Sequence, residues 1–376
     1  MISILSLICF TTFAQSGYIV TLKSHDRSDG ITRHMEKVQA LFSRERSLDE
    51  NKIEHVFDSA FKGYSAQFSE RILNKVKAMH EVAAVEEDQI VNATLSTNNS
   101  PWGLARIKSR QRLSGNYQNL VNSYDFNGGR GVDVYVIDTG INVHHPEFQG
   151  RAVWGANFVS GSPNMDDNGH GTHCAGTIAS RSFGVAKAAN VIAVKVLNAQ
   201  SRGLNSQFIA GIEWAIRNRK NGRGNVMNLS LLSGYSPALN SAVRAAKAAG
   251  FVVAVAAGNN NIDACTISPA SEPSILTVGA TNIQDSRASF SNWGRCLDVF
   301  APGENILSTW NTGYSNYLSG TSMATPHVAG LAAYLIAKTG NRSPDYIMNL
   351  IKSTAEKNVV SNTAFSPNLL VSISGY

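Results

Sequence analysis

An aspartate, a histidine and a serine stand far apart in this chain, each where its side chain could serve nucleophilic catalysis. Ser322 lies in Ser319-Gly320-Thr321-Ser322-Met323-Ala324-Thr325-Pro326-His327, a small-residue loop that turns into an apolar helix running to about Lys338. That spacing puts its hydroxyl at a helix N-terminus, where unpaired N–H groups and the positive dipole end stabilise a developing oxyanion. Pro326 reads as part of the first turn, where a missing N–H has no intrahelical partner to lose. His170 opens a second helix in Asp167-Asn168-Gly169-His170-Gly171-Thr172-His173, with glycines on both sides giving the close backbone access that a general base needs. Asp138 ends the apolar run Val132-Asp133-Val134-Tyr135-Val136-Ile137. A carboxylate there can be desolvated and fixed, as the orienter of a histidine must be. Asn259 closes another apolar run at Ala256-Ala257-Gly258, where a side-chain amide can donate to an oxyanion. Each residue also has an ordinary reading, as a turn former or a helix cap. What sets them apart is their joint arrival in the order Asp, His, Ser. His173, one turn beyond His170, reads as a packed structural histidine, because no further Cys/His/Glu cluster lies near enough in sequence to complete a zinc site.

The elements that must position these residues alternate strand and helix. Strands are expected at Val132–Ile137, Val191–Leu197, Val226–Leu232, Phe251–Ala257 and Ser274–Ala280, with helices at Thr172–Ser180, Gln207–Arg217 and Pro237–Ala249. Continuous apolar strands between helices mean a parallel sheet covered on both faces, with ligands at the carboxyl ends of the strands. The fold class is α/β. The first part of the chain has another rhythm: strands at Tyr18–Lys23, His55–Phe57 and Tyr64–Phe68, a helix over Arg33–Ser47, a second over Glu70–His80, then the strand Val82–Asp88. This β-α-β-β-α-β order is the ferredoxin-like plan of a small α+β domain. The polar stretch Asn92–Ser100 follows as an exposed linker and a place for a cut.

Composition narrows the function classes. The chain has 376 residues, 43% hydrophobic and 16% charged, which suits one large domain plus a smaller one with a sizeable core. The net charge of +6 comes without a Lys/Arg block or basic-aromatic interleaving, so nucleic-acid binding is not expected. Residues 1–14 read as a signal peptide, apolar from Met1 to Phe10 with small residues at Thr12 and Ala14. No later run is long enough to span a membrane. With Cys9 lost, Cys174, Cys265 and Cys296 remain, an odd number fitting one disulfide and one thiol. Spacing does not say which two pair.

The segments Asp138-Thr139-Gly140, Gly169-His170-Gly171-Thr172-His173 and Gly320-Thr321-Ser322-Met323-Ala324-Thr325-Pro326 resemble the three signatures of the subtilisin-like serine proteases, with most likeness to the proteinase K subfamily. The likeness extends through Pro101-Trp102-Gly103-Leu104-Ala105-Arg106-Ile107 and Ser289-Phe290-Ser291-Asn292-Trp293-Gly294 and covers about Pro101 to Lys338. Residues Tyr18–Val91 resemble the inhibitor propeptide of such enzymes, through Lys62-Gly63-Tyr64-Ser65-Ala66 and Val85-Glu86-Glu87-Asp88. The resemblance implies a signal peptide at 1–14, a propeptide at 15–93 cut near Asn92–Ser96, and a subtilisin-like peptidase domain at 94–376. It implies Ser322 as nucleophile, His170 as base, Asp138 as its orienter and Asn259 as oxyanion donor. It implies peptide and protein substrates, the propeptide as intramolecular inhibitor, a monomer, no catalytic cofactor, and secretion, with a vacuole or cell wall as alternatives. A disulfide joining Cys265 and Cys296 is implied as well, closing a loop of about 30 residues and stabilising by roughly 3–4 kcal/mol. Cys174 matches a free thiol beside the catalytic histidine and implies sensitivity to mercurials. A structural calcium is implied on the carbonyls of Pro273 and Ile275 and the carboxylate of Asp298, oxygen donors that suit the ion.

Substrate binding departs from the family pattern. The strand Ser230-Leu231-Leu232-Ser233-Gly234 carries Leu232 and Ser233 where relatives have glycines, and a leucine removes backbone access that glycine allows. The opposite strand keeps Gly203 but has Asn205 in place of an aromatic residue, and Arg202 adds a preference for acidic side chains. Narrowed specificity is expected. Two other classes fit the sequence less well than a protease. A peptide-binding homologue without catalysis conflicts with the intact Asp138, His170, Ser322 and Asn259. An esterase or lipase conflicts with chain order, since those enzymes run Ser, Asp, His and use a Gly-x-Ser-x-Gly elbow. Sequons occur at Asn92, Asn98, Asn228 and Asn341, and Asn228 lies in an expected buried strand.

Overall fold

In the computed structural model, residues 17–23, 30–43, 51–92, 102–114, 125 and 127–374 are described. The expected signal peptide and most of the linker lie outside them.

The N-terminal unit runs β1 (Tyr18–Leu22), α1 (Gly30–Phe42), β2 (Lys52–Phe57), β3 (Gly63–Gln67), α2 (Glu70–Lys77) and β4 (Val82–Glu87). Its four strands lie in the order β2-β3-β1-β4, all neighbours antiparallel. This is the expected ferredoxin-like plan. Ser69 caps α2, and Ile72, Leu73 and Val76 form its buried stripe against Val20, Tyr64 and Phe68. The first helix starts three residues earlier than its sequence pattern suggests. A short strand, β5 (Ile90–Asn92), leaves this unit and pairs with the larger one.

The larger unit holds α3 (Trp102–Lys108), β6 (Val132–Asp138), β7 (Ala152–Asn157), α4 (His170–Ala179), β8 (Asn190–Lys195), β9 (Arg202–Leu204), α5 (Asn205–Asn218), β10 (Gly224–Leu229) and β11 (Ser233–Gly234). It continues with α6 (Pro237–Ala248), β12 (Phe251–Ala256), β13 (Ile267–Ser268), β14 (Leu276–Thr281), β15 (Val299–Pro302), β16 (Ile306–Thr309) and β17 (Ser315–Leu318). Last come α7 (Thr321–Thr339), α8 (Pro344–Thr354), β18 (Glu356–Lys357) and β19 (Leu369–Leu370). Nine strands form one sheet in the order β18-β19-β15-β14-β12-β10-β6-β8-β7, parallel throughout except for the β18–β19 pair at its edge.

The strand order fixes where a ligand can bind. From β6 the chain crosses to the edge strand β7 and comes back to β8 between the two, then passes to the other side of β6 to build β10, β12, β14 and β15. The sheet reverses direction at β6, and the crevice at the carboxyl end of such a reversal is where open α/β sheets bind ligands. Asp138 is the last residue of β6.

Two apolar layers sandwich the sheet. One gathers α4 and α7 with Val134, Val136, Val226, Val252 and Val278; the other gathers α5 and α6 with Ile137, Val194, Met227, Leu229 and Val253. The helix α7 is buried all round through its first sixteen residues, as a helix with no polar face must be. Pro326 is its sixth residue, so it lies in the second turn and not the first. It has no N–H to donate to the carbonyl of Ser322, and that carbonyl finds other donors in the site.

Candidate active site

Ser322 is the second residue of α7, with Gly320 as N-cap. Its carbonyl, left without an intrahelical donor by Pro326, accepts from Ser230 Oγ at 2.9 Å and from Cys174 Sγ at 3.4 Å. Its own Oγ donates to the carbonyl of Ser230 at 2.8 Å. The nucleophile candidate is thereby tied on both sides to the segment that follows β10.

The histidine is held from two directions. Gly169 has φ 115°, and a Cβ there would lie 2.4 Å from Trp310 Cζ2, so only glycine fits. A Cβ on Gly171 would lie 2.1 Å from the carbonyl oxygen of Gly140. That bare backbone lets α4 settle on the end of β6. There His170 Nδ1 lies 2.7 Å from Asp138 Oδ1, with both side chains fully buried. Asp138 Oδ1 also accepts from Thr139 N–H at 2.7 Å, while Asp138 Oδ2 and His170 Nε2 have no partner. Burial alone pulls the imidazole down, but the Asp138 charge and hydrogen bond, helped by Cys174, raise His170 well above 6.5.

His173 behaves as a structural residue. Its Nε2 donates to the carbonyls of Ile306 at 2.9 Å and Asn316 at 3.1 Å, and burial lowers it to about 3. Asn259 reaches the site from the end of β12. Its Oδ1 accepts from Thr321 N–H at 2.8 Å and from Thr321 Oγ1 at 2.9 Å, which fixes the amide so that the NH2 end is the one able to donate to a substrate.

Sequence reasoning missed the supports beneath these residues. Asp166, buried four positions before His170, accepts from Thr139 Oγ1, Gly169 N–H and Thr172 N–H at 2.8–2.9 Å. It knits the Asp138 turn to the start of α4. Lys195 is fully buried and spends its three protons on the Thr139 carbonyl, Asp167 Oδ1 and the Leu197 carbonyl at 2.7–2.8 Å. The run Asp166-Asp167-Asn168-Gly169 signals a capped turn, but only the fold shows that β8 delivers a lysine to it.

Cys174 is free and buried, with Sγ 4.0 Å from His170 Nδ1. Among the described residues, Asp138, His170 and Cys174 are one group whose potential ligand atoms lie within 4.8 Å of one another. Among the described residues the other two cysteines, Cys265 and Cys296, are joined by a disulfide.

Of the substrate-binding candidates, Gly203 lies on β9 and pairs with Val91 of β5, flanked by Leu204 with Ile90 and Arg202 with Asn92. The end of the N-terminal unit thus runs as an added strand along the larger one. Three carboxylates lock the two units together. Glu86 accepts from Ser236 Oγ and from Ala238 N–H at the start of α6, and Asp88 accepts from Ser206 N–H at 2.7 Å at the start of α5. Helix N-termini favour such negative partners, while burial pushes Asp88 up to about 6. Glu213 accepts from the N–H groups of Asp58, Ser59 and Ala60 at 2.5–3.1 Å. Ser230 touches Ser322 directly, whereas the Leu231 side chain is buried in the core and leaves only its backbone for a substrate.

The calcium candidate meets an obstacle. Asp298 Oδ2 accepts from Thr277 N–H at 2.9 Å, and Asp298 Oδ1 is taken by Lys352 Nζ at 2.9 Å. Calcium seeks six to eight oxygen ligands, and an ammonium group on this carboxylate competes for the same position. Asp298 as arranged does not fit the ion.

The family model of the subtilases, peptidase family S8, matches residues 129–369. The chain belongs to the subtilase family. The model of the peptidase inhibitor I9 matches residues 17–94, so this subtilase carries its own inhibitor propeptide and is a serine endopeptidase made as a zymogen. It is 44% identical over 362 residues to "Proteinase R" of Parengyodontium album, covering 96% of this chain and 89% of that protein. It is 46% identical over 316 residues to "Cuticle-degrading protease" of Metarhizium anisopliae, covering 83% and 80%. Among solved structures, a cold adapted subtilisin-like serine proteinase matches with TM-score 0.67 and 46% identity, over 72% of this chain and 97% of that one. Both the subtilisin-like α/β fold and the propeptide domain expected from sequence stand. In this subtilase no described helix is long and apolar enough to cross a membrane.

Proposed function

We propose that this subtilase hydrolyses peptide bonds through an acyl-enzyme on Ser322, with His170 as base, Asp138 as its orienter and Asn259 as oxyanion donor. The observation that carries the reading is the buried pair of His170 Nδ1 and Asp138 Oδ1 at 2.7 Å, which leaves His170 Nε2 without a partner, with Cys174 Sγ lying 4.0 Å from His170 Nδ1 and 3.4 Å from the Ser322 carbonyl. With Nδ1–H held by Asp138, Nε2 is the lone-pair nitrogen, the tautomer a base must have. Ser322 Oγ turns from the Ser230 carbonyl toward Nε2, gives up its proton and attacks the substrate carbonyl. Ser322 N–H and the Asn259 NH2 hold the oxyanion. His170 then protonates the leaving amine, and water repeats the sequence to free the acid. No step passes through a metal.

The same reading includes a signal peptide over 1–14, release from the cell, and a cut within 92–96 that separates the propeptide. The test is a fluorophosphonate probe, whose phosphorus is attacked only by an activated serine with loss of fluoride. The label is expected on the Ser322 peptide of the processed enzyme. A label elsewhere, or none on an enzyme that cleaves casein, removes Ser322 from the role.

For the calcium candidate, we infer that the Lys352 ammonium takes the ion's part at Asp298. EDTA and added calcium are both expected to leave the melting temperature of wild type unchanged. In Lys352→Met the vacated carboxylate is expected to make the melting temperature rise with calcium. A fall in wild type on EDTA treatment returns the site to calcium.

A further inference from the structure

Two backbone segments flank Ser322. One, Ser230–Leu232, follows β10 and is fastened by the paired hydrogen bonds between Ser230 and Ser322. The other, Ala257–Asn259, follows β12 and is fastened by Gly258 N–H to Thr321 Oγ1 at 3.0 Å and Thr321 N–H to Asn259 Oδ1 at 2.8 Å. Because β10 and β12 are parallel neighbours, with Leu229 opposite Val255, these extensions pass the serine side by side. A carbonyl held by Ser322 N–H and Asn259 has its Cα only about 1.5 Å from the attacked carbon. The side chain on that Cα must therefore enter the gap between the two segments.

That gap already holds a side chain. Gly258, with φ 101°, presents a bare Cα immediately before Asn259. A Cβ on it would lie 3.0 Å from Leu232 Cδ2 and 2.9 Å from Ile267 Cδ1. The branched end of Leu232 thus bridges from one wall of the gap to the other. Leu232 is partly buried and packs against the apolar cluster that includes Ala257, Ala264 and Ile267. Small pockets of this kind discriminate by how many atoms fit, each methylene being worth about 10–200-fold in rate.

We propose that Leu232 fills most of the pocket for the residue on the acyl side of the scissile bond, so that this protease cleaves after glycine, alanine, serine and threonine and rejects leucine and aromatic residues. The chain's own expected processing segment agrees: Asn92-Ala93-Thr94-Leu95-Ser96 offers Ala93 and Thr94 as small acyl-side residues, directly beyond the β5 strand that pairs with β9.

The proposal rests on Ser322 being the nucleophile, and the experiment separates the two. Matched peptide substrates ending in alanine, threonine, leucine or phenylalanine before the cut are turned over by wild type, Leu232→Ala and Leu232→Gly, each first labelled with the fluorophosphonate to count folded active sites. In wild type, kcat/KM after alanine is expected to exceed that after phenylalanine by about 100-fold. In Leu232→Ala the ratio narrows, and in Leu232→Gly it is expected to level or reverse. Wild-type cleavage after phenylalanine as fast as after alanine overturns the proposal, as does an unchanged ratio in labelled Leu232→Ala or Leu232→Gly. Sequencing the mature N-terminus adds a check without mutation: a start at Leu95 or Thr94 supports a small acyl-side residue, and a start at Ser96, after Leu95, opposes it. Absence of both label and turnover in wild type counts against the Ser322 reading instead.

Discussion

Ser322→Ala is expected to accumulate as an unprocessed zymogen, with the I9 domain still attached by its peptide bond. Replacing the hydroxyl removes the atom proposed to form the acyl-enzyme, while the small methyl group leaves the buried start of α7 packed. Residual turnover of peptide substrate should fall about 10^6-fold, a figure taken from subtilisin itself. Gel mobility and N-terminal sequencing report the first effect and a chromogenic peptide the second. Processing of Ser322→Ala at the wild-type rate, in a preparation free of other proteases, sinks the proposed self-cleavage. The variant has a second use. Produced as two separate chains, the propeptide and Ser322→Ala peptidase units should co-purify, held by β5 on β9, by Glu86 and Asp88 on two helix starts and by Glu213 on a propeptide turn.

The next largest effect is expected at Asp138→Asn, with kcat reduced about 10^4-fold and the fold intact. The amide keeps the shape but turns an N–H toward His170 or loses the charge that opposes its burial, so the imidazole no longer presents Nε2 as a base. The pH profile distinguishes this from simple damage. His170 must be neutral to accept the Ser322 proton, and its pKa in the intact site stands well above 6.5. In wild type, kcat/KM should therefore rise with pH through an inflection above 6.5. Without the Asp138 charge, burial dominates and the same inflection should move to lower pH even as the rate collapses. An acid limb that stays put in Asp138→Asn means another group controls it.

Much of this could be read from residue order because the sheet obeys simple rules. Val132–Ile137, Phe251–Ala257 and the other continuous apolar runs can be satisfied only by strands covered on both faces, and the polar residues that end them must then surface together. Asp138 and Asn259 are such ends. Other elements were harder to see. The strand β7 is broken by Gly155, whose missing side chain makes room for Trp214, and it lies half exposed at the sheet edge. The helix α3 is only seven residues long, too short to be stable by itself. It is held from outside by Arg106, buried in a paired contact with Asp285 at 2.7 and 3.0 Å. The C-terminal helix α8 carried a legible start in Ser343-Pro344-Asp345, with Ser343 capping at Tyr346, but its apolar stripe of Ile347, Met348 and Ile351 is short. Lys352 could not have been placed on Asp298 without knowing that α8 and the turn before β15 meet.

Pro326 has a wider meaning than a tolerated break in a helix. A residue with an N–H at that position would offer the Ser322 carbonyl a donor within its own helix, in competition with Ser230 Oγ. By withholding that donor, the proline leaves the carbonyl to Ser230 Oγ on the segment that follows β10. In the proposed mechanism, attack distance and substrate alignment would then rest on one shared joint, the paired hydrogen bonds of Ser230 and Ser322.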